Sequence, residues 1–295
     1  MVISEKKQKR TSPIWIFFGL ILTVYAFSLI FLVGWGIMIA LKSPAEYNFS
    51  GVMFSTNLSF ESFSTALRYL YITVRVDNQV KVVTFLDMFY NTSVYALGCA
   101  FMQTTCTMIM AYMTTKYNYK FSKIITVLVY TLMVLPIGGS TAAAISLAKK
   151  VGTYGNMIGL FIMKFHFLGM YFLVYQARFK AIPNEFMEAA RMDGASSFRI
   201  FTGIMVPMTK TTYFMVYMLY FMSYWSDYMT PLMFMPTRPT MAYGLFRFKS
   251  SAENVLSIPS VTIAGSIIMM LPMFLIYVCF NNKIYGNLTF GGIKG

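Results

Sequence analysis

Histidine is almost missing from this chain: His166 is the only one in 295 residues. A single imidazole excludes the two-histidine H-E-x-x-H zinc motif and any histidine-rich metal site. Acidic residues number ten, and charged residues of both signs make up 12% of the chain, about half the usual share of a soluble domain. A single soluble globular core does not fit that composition, and neither do disordered, collagen-like or disulfide-scaffold classes. The three cysteines, Cys99, Cys106 and Cys279, all lie in apolar stretches without metal or disulfide spacing, and read as small hydrophobes. No G-x-x-x-x-G-K-[ST] run exists, so the chain cannot cradle nucleotide phosphates in the usual way. No G-x-S-x-G elbow exists either. The nearest serine context, Gly138-Gly139-Ser140, follows Pro136 at the end of an apolar run and reads as a helix break.

What the chain does have is apolar length. Apolar residues are 57% of the total and mean hydropathy is +0.61. They fall in runs long enough to cross a bilayer. Six spans are expected: 13–41, 88–114, 121 to the Pro136 break with a short continuation to Ala148, 155–177, 211–234 and 257–280. The fold class expected is all-α, a polytopic membrane protein of six transmembrane helices. The first run is nearly twice the length of a signal-peptide core and reads as a permanent span.

Net charge is +14. With the N-terminus placed inside, fourteen of the 24 basic residues fall on inside segments, nine on outside segments, and Lys164 inside a span. Four of the outside nine sit on one loop of about 45 residues, and long loops weigh less in the positive-inside bias. Both termini are therefore expected to be cytoplasmic. The basic excess flanks the membrane, so a nucleic-acid partner is not expected. The resulting layout is a cytoplasmic segment 1–12, a first helix 13–41, an external loop 42–87, a five-helix core 88–280 and a cytoplasmic tail 281–295. The core carries a cytoplasmic loop at 178–210. None of these loops can fold as an ordinary independent domain.

That cytoplasmic loop breaks the apolar pattern. From Ala181 to Phe198 its grammar is that of two helices and a tight turn. Pro183 suits a first helical turn. Glu185 and Glu188 lie near the positive helix end. Gly194 can take the left-handed conformation that closes a helix, and Ser196 or Ser197 can cap the next. Ala189, Ala190, Gly194 and Ala195 leave a knob with almost no side-chain bulk, ringed by Glu188, Arg191 and Asp193. Such a knob can enter a partner's cleft, although a plain solvated connector fits the same grammar.

The string Glu188-Ala189-Ala190, Asp193-Gly194-Ala195, Ile204, Pro207 resembles the EAA loop of binding-protein-dependent ABC importer permeases. Ile182-Pro183-Asn184-Glu185 resembles that family's lead-in, and Asn91-Thr92-Ser93 its start of span two. Trp225-Ser226-Asp227-Tyr228 with Pro231-Leu232 resembles its W-N-E/D-x-x-x-P-L stretch, with Ser226 where asparagine is common. The tail Gly291-Gly292-Ile293-Lys294-Gly295 is similar to the ending of carbohydrate permeases, the type of the maltose importer's smaller membrane subunit. The resemblance covers the C-terminal half best; the first ninety residues match only in layout.

The resemblance implies a type I ABC importer permease fold and a transport subunit that is not itself an enzyme. It implies a second permease as heterodimer partner, two ATPase subunits that bind ATP and Mg, and an extracytoplasmic solute-binding protein. No cofactor is bound by the chain itself. Glu188, Ala189, Ala190, Arg191, Asp193, Gly194 and Ala195 would form the coupling turn that docks on one ATPase, and the tail at Lys294 and Gly295 would reach toward the ATPase interface. The cargo would be a sugar, most readily an oligosaccharide.

Candidates for the substrate pathway come from polar residues inside spans. Lys164 is the anomaly, because an unpaired ammonium in hydrocarbon costs at least about 2.5 kcal/mol. Tyr171 and Tyr175, seven and eleven residues on, would share its helical face. Flat rings and one cation suit hydroxyl-rich or anionic sugars. A lysine paired with a helix carbonyl or with an acid on the partner permease is the plainer reading. His166 reads as a packed polar residue. Asp227 either faces the pathway or holds a loop, and Asn91 and Gln103 are further candidates. Competing readings are an ion-coupled carrier or channel working without an ATPase, and a structural membrane protein with no cargo. The near absence of acids in mid-span weighs against an ion-coupled carrier.

Overall fold

The computed structural model describes residues 13–54, 57–76, 79–117, 119–135, 141–249 and 258–285. In chain order the helices are α1 (Pro13–Ala40), α2 (Pro44–Ser50) and α3 (Glu61–Tyr69), followed by strands β1 (Ile72–Val76) and β2 (Gln79–Val83). Then come α4 (Phe85–Lys116), α5 (Lys120–Val134), α6 (Thr141–Val151), α7 (Met157–Met163) and α8 (Met170–Lys180). Next are α9 (Glu185–Met192), α10 (Ser197–Ile200), a π-helical turn (Phe201–Met205) and α11 (Val206–Trp225). The last are α12 (Met229–Phe234), α13 (Met241–Lys249) and α14 (Pro259–Tyr285). Among the described residues three helices are long and apolar enough to cross a membrane: α1, α4 and the Pro259–Phe280 part of α14.

The chain divides into two compact units, one of residues 1–69 and 251–268 and the other of residues 70–250 and 269–295. In the first, α1 is apolar on every side and only Ile39 and Ala40 of it are buried, as suits a helix whose solvent is lipid. Its 28 residues give about 42 Å of helix. Just beyond it, Lys42 is fully buried. Its ammonium donates to Ser50 Oγ (2.9 Å), the Gly51 carbonyl (3.0 Å) and the Met53 carbonyl (2.5 Å). The charge read as a membrane-flanking lysine is thus the knot that ties the α1–α2 turn. Ser43 caps α2, and Ser62 Oγ donates to the Lys42 carbonyl (2.6 Å).

In the second unit α4 is the central helix, with α11 and α8 packed along it. Its inner face carries Thr92, Ala96, Ala100, Thr104, Thr107 and Ala111, all fully buried. Small residues let helices approach closely where lipid supplies no hydrophobic drive. Thr92 and Thr107 return their hydroxyls to the carbonyls of Met88 and Gln103 (both 2.7 Å), which removes the cost of burying them. A Thr84–Asp87 capping box starts α4.

Two expectations are corrected. The chain is not all-α: β1 and β2 form an antiparallel hairpin, Ile72 opposite Val83, because Ile72-Thr-Val-Arg-Val76 and Gln79-Val-Lys-Val-Val83 alternate in the strand period. The span expected over 155–177 is not one helix but α7 and α8, separated by residues 164–169. The Gly138-Gly139-Ser140 break and the 291–295 tail lie outside the described residues.

Candidate functional site

The loop between α8 and α11 is built as a rigid protrusion. Helix α9 ends at Met192, Asp193 is its C-cap, and Gly194 follows at φ 77°. The Gly194 N–H donates to the Arg191 carbonyl (3.0 Å) and the Ala195 N–H to the Ala190 carbonyl (2.9 Å). That pair of bonds is the Schellman closure, and it needs a residue free to adopt positive φ. Ser196 then accepts from the Arg199 N–H (3.3 Å) and starts α10. Pro183 lies just ahead of the helix rather than in its first turn; α9 begins at Glu185, and the Asn184 carbonyl receives its first bonds.

Apolar residues pin the protrusion to the bundle. Ile182, Met187 and Ile200 are buried in one cluster with Tyr112, Phe179 and Met205. Lys116 at the end of α4 donates to the Ile182 carbonyl (2.5 Å) and to Asn184 Oδ1 (2.8 Å). The Arg191 guanidinium lies over the Tyr117 ring at 5.9 Å. Burial pushes the Tyr117 phenol up, but hydrogen bonds to Tyr112, Ser197 and Arg191, with the Arg191 charge, hold it below the ordinary tyrosine value. The opposite face is open. Glu188, Ala189, Arg191, Asp193 and Gly194 are exposed, and Ala190 and Ala195 are half-buried. Sequence reasoning missed the apolar rim of this knob: Phe186, Met192 and Phe198 are 48, 88 and 75% exposed. Three large apolar side chains held out on a polar loop are the available signal.

The second cluster lies where α4, α11 and the α7–α8 break meet. Lys164 ends α7 in helical conformation, and its ammonium sits over the Tyr224 ring at 5.1 Å. Tyr224 donates to Gln103 Oε1 in a short bond. Gln103 Nε2 lies 3.3 Å from His166 Nε2. Tyr95 donates to Asp227 Oδ2 (2.8 Å), and Asp227 Oδ1 accepts from the Thr230 N–H (3.1 Å).

The break has a geometric cause. Lys164 and His166 are two residues apart, which on a continuous helix places them about 200° apart. One of them would then face away from the bundle. Breaking the helix, with Gly169 at φ 137° before α8, lets both turn toward α4 and α11. Tyr171 and Tyr175 therefore do not share a helical face with Lys164, since they stand on a different helix. Tyr171 meets Tyr220 edge-on at 4.8 Å. Tyr175 is fully buried and stacks on Phe179 at 6.3 Å. Asn91 Nδ2 donates to the Pro239 carbonyl (3.0 Å) and holds a loop.

A tyrosine column was also missed. Tyr213, Tyr217, Tyr220 and Tyr224 follow one another at spacings of four, three and four along α11 and so occupy one face. Tyr213 stacks with Tyr217 at 6.4 Å and Tyr220 with Tyr224 at 6.3 Å. The column covers about 16 Å of helix, and its spacing is readable from the sequence once span five is assigned. Among the described residues no group of three or more His, Cys, Asp or Glu side chains is placed to hold a metal.

Comparison with known proteins gives this arrangement a family. Residues 103–283 match the family described as "Binding-protein-dependent transport system inner membrane component". The arabinooligosaccharides transport system permease protein AraQ of Bacillus subtilis is 25% identical over 213 residues, covering 72% of this chain and 74% of that protein. The maltodextrin transport system permease protein MdxG of the same organism is 27% identical over 216 residues, covering 72% and 76%. The melibiose/raffinose/stachyose import permease protein MelC, also of Bacillus subtilis, is 22% identical over 258 residues, covering 87% and 88%. Among solved structures, a bacterial ABC transporter that imports the acidic polysaccharide alginate superposes with a TM-score of 0.73 at 17% identity, over 93% of this chain and 99% of that one. At that identity the likeness speaks for the fold. Because the matched region is more than half of its length, the chain belongs to the inner membrane components of binding-protein-dependent transport systems, multi-pass proteins of the bacterial cell membrane.

Proposed function

We propose that the chain is one permease of an ATP-driven oligosaccharide importer, working as half of a heterodimer with two ATPase subunits and an external solute-binding protein. Six spans with both termini cytoplasmic belong to this reading: α1, α4, α5 with α6, α7 with α8, α11 with α12, and α14. The observation that carries it is the α9–α10 protrusion. Its small residues are exposed (Ala189, Gly194) or half-buried (Ala190, Ala195), its turn is locked by two backbone bonds, and its base is bolted to the bundle by Ile182, Met187 and Ile200. A rigid handle of that kind passes on a rigid-body motion, which a floppy connector would absorb. Nucleotide hydrolysis falls to the partner, because this sequence holds no phosphate-cradling loop.

Oligosaccharide cargo is supported by relatives named for arabinooligosaccharides, maltodextrin and melibiose/raffinose/stachyose. On this reading the half-buried Tyr213, Tyr217 and Tyr220 offer such a cargo their rings and hydroxyls, since ring faces stack on sugars and hydroxyl groups bond their hydroxyls. Purification from native membranes tests the assembly: a second permease and an ATPase pair come down with this chain, and uptake in vesicles is vanadate-sensitive and requires the binding protein. Uptake that collapses with the ion gradient while ATP persists would replace this reading with an ion-coupled carrier.

A further inference from the structure

We infer that helix α5 holds an anionic phospholipid of the leaflet on the protrusion side, its phosphate at Lys120 and Lys123 and one acyl chain in the groove that runs on from them. The groove measures about 520 Å³ and is lined, among the described residues, by Lys123, Val127 and Thr131 on one ridge and Ile124, Leu128 and Leu132 on the next. Both ridges step by four residues, so the groove follows the helix for about 14 Å. Beyond Lys123 it is apolar, and its one hydroxyl, on Thr131, donates to the Val127 carbonyl (2.9 Å). The cations stand at one end. The first turn of α5 carries no acid, and Lys120 and Lys123 are both exposed. Neither is bonded or ion-paired to another described residue. Lys116, close by at the end of α4, differs, because it already donates to the Ile182 carbonyl and to Asn184 Oδ1. Two exposed ammonium groups heading an apolar groove complement an amphiphile with an anionic head.

The side chains favour a lipid over a second protein helix. Helices in membranes seat on one another through small residues, as the inner face of α4 does with Ala96, Ala100 and Thr104. The α5 groove has no such residue; its walls are the exposed branched chains of Ile124, Val127 and Leu128. A flexible acyl chain conforms to that surface. Tyr119, exposed beside the lysines, is the kind of ring that sits at headgroup level. In the proposed topology this is the cytoplasmic leaflet, whose anionic lipids draw basic residues to the surface. The headgroup seat is also joined to the protrusion. Tyr119 stacks on Tyr117 at 5.9 Å, the Ser122 hydroxyl donates to the Tyr117 carbonyl (3.0 Å), and the Arg191 guanidinium lies over the Tyr117 ring. A lipid held at Lys120 and Lys123 therefore braces the base of the α9–α10 turn.

The test is photolabelling of the complete complex in phosphatidylcholine nanodiscs. They are doped with a photoreactive phosphatidylglycerol or, separately, with the same amount of a photoreactive phosphatidylcholine, and labelled peptides are mapped by mass spectrometry. Both leaflets carry the probe and no cargo is present, so the outcome leaves the importer reading untouched either way. The anionic lipid labels residues 120–132 about tenfold more than the zwitterionic one, from two lysines acting on one phosphate. Lys120→Gln/Lys123→Gln removes that excess with unchanged thermal unfolding, Lys120→Arg/Lys123→Arg keeps it, and soluble glycerol phosphate does not compete. In the glutamine variant, hydrogen exchange over 185–200 also speeds up in anionic discs. Equal labelling by the two lipids, or an excess that survives in the glutamine variant, overturns the inference. Displacement by glycerol phosphate would make the lysines a free-anion site, and absence of lipid label with the second permease crosslinked to α5 would make the groove a protein interface; either result also overturns it.

Discussion

Removing the two most exposed apolar side chains of the protrusion separates docking from folding. Met192 and Phe198 are 88 and 75% exposed, so neither contributes much to the chain's own core. Replacing both with serine changes stability by no more than about 0.5 kcal/mol per site. If an ATPase cleft covers them, the loss is large. Full burial of a methionine or phenylalanine side chain yields about 1.5 to 3 kcal/mol. Allowing for what stays wet at an interface rim, the pair contributes about 2 to 4 kcal/mol to docking, roughly 30- to 1,000-fold in Kd. The assay is titration of the purified ATPase onto nanodisc-held permeases, with thermal unfolding run in parallel. Phe54→Ser is the control, since Phe54 is equally exposed, at 75%, but lies on the loop expected to face outside. The expected pattern is weakened docking in Met192→Ser/Phe198→Ser with unchanged unfolding, and normal docking in Phe54→Ser. Docking within about twofold of wild type in the double variant would refute the assignment of this face to the ATPase.

Other perturbations act on particular contacts. Gly194→Val forces a β-branched residue to φ 77°, at about 1 to 3 kcal/mol, and should open the Schellman turn; the protein reaches the membrane, while uptake falls and protease cleavage at 190–196 speeds up. Lys42→Met takes the donor from the Gly51 and Met53 carbonyls, while Ser50 Oγ keeps its bond to the Glu46 carbonyl; hydrogen exchange should accelerate over 43–53 and not over 185–200. A two-glycine insertion after Thr202, inside the π-helical turn, should leave basal ATP hydrolysis running while uptake stops, measured side by side in proteoliposomes.

Much of this was written into local sequence. Helices α1, α4 and α14 follow from apolar runs that only a bilayer accommodates, and the protrusion from Gly194 and Ser196, whose chemistry acts within a few residues. What escaped depends on partners far along the chain. Hydropathy averages smoothly over Met163-Lys164-Phe165-His166, so the break was invisible; the partners of its two polar side chains lie far along the chain, Tyr224 60 residues after Lys164 and Gln103 63 residues before His166. The hairpin at 72–83 is short and sits within a polar loop, where a few alternating valines carry little weight. Lys42 looked like an ordinary flanking charge, because nothing local reveals three acceptors folding back over it.

The two sites, so different in chemistry, are the two ends of one element. From Ser197 to Trp225 the backbone is helical without interruption, through α10, the π-helical turn and α11. Those 29 residues make a rod of about 40 Å. One end carries the capped turn and Phe198; the other carries Tyr224, beneath the Lys164 ammonium. A partner that shifts the protrusion must therefore shift the tyrosine column, because helix bonds do not stretch and Ile200 and Met205 anchor the near end in the same buried cluster as α8 residues Phe172 and Phe179. The π-helical turn is the one irregularity along the rod, and its wider bonding pattern can take up a small rotation without breaking the ladder. On the proposed reading, coupling between ATP hydrolysis and cargo release needs no chain of relayed side-chain moves. It requires only that the Tyr224 face, and with it the seat of Lys164, differ between the two positions of the rod.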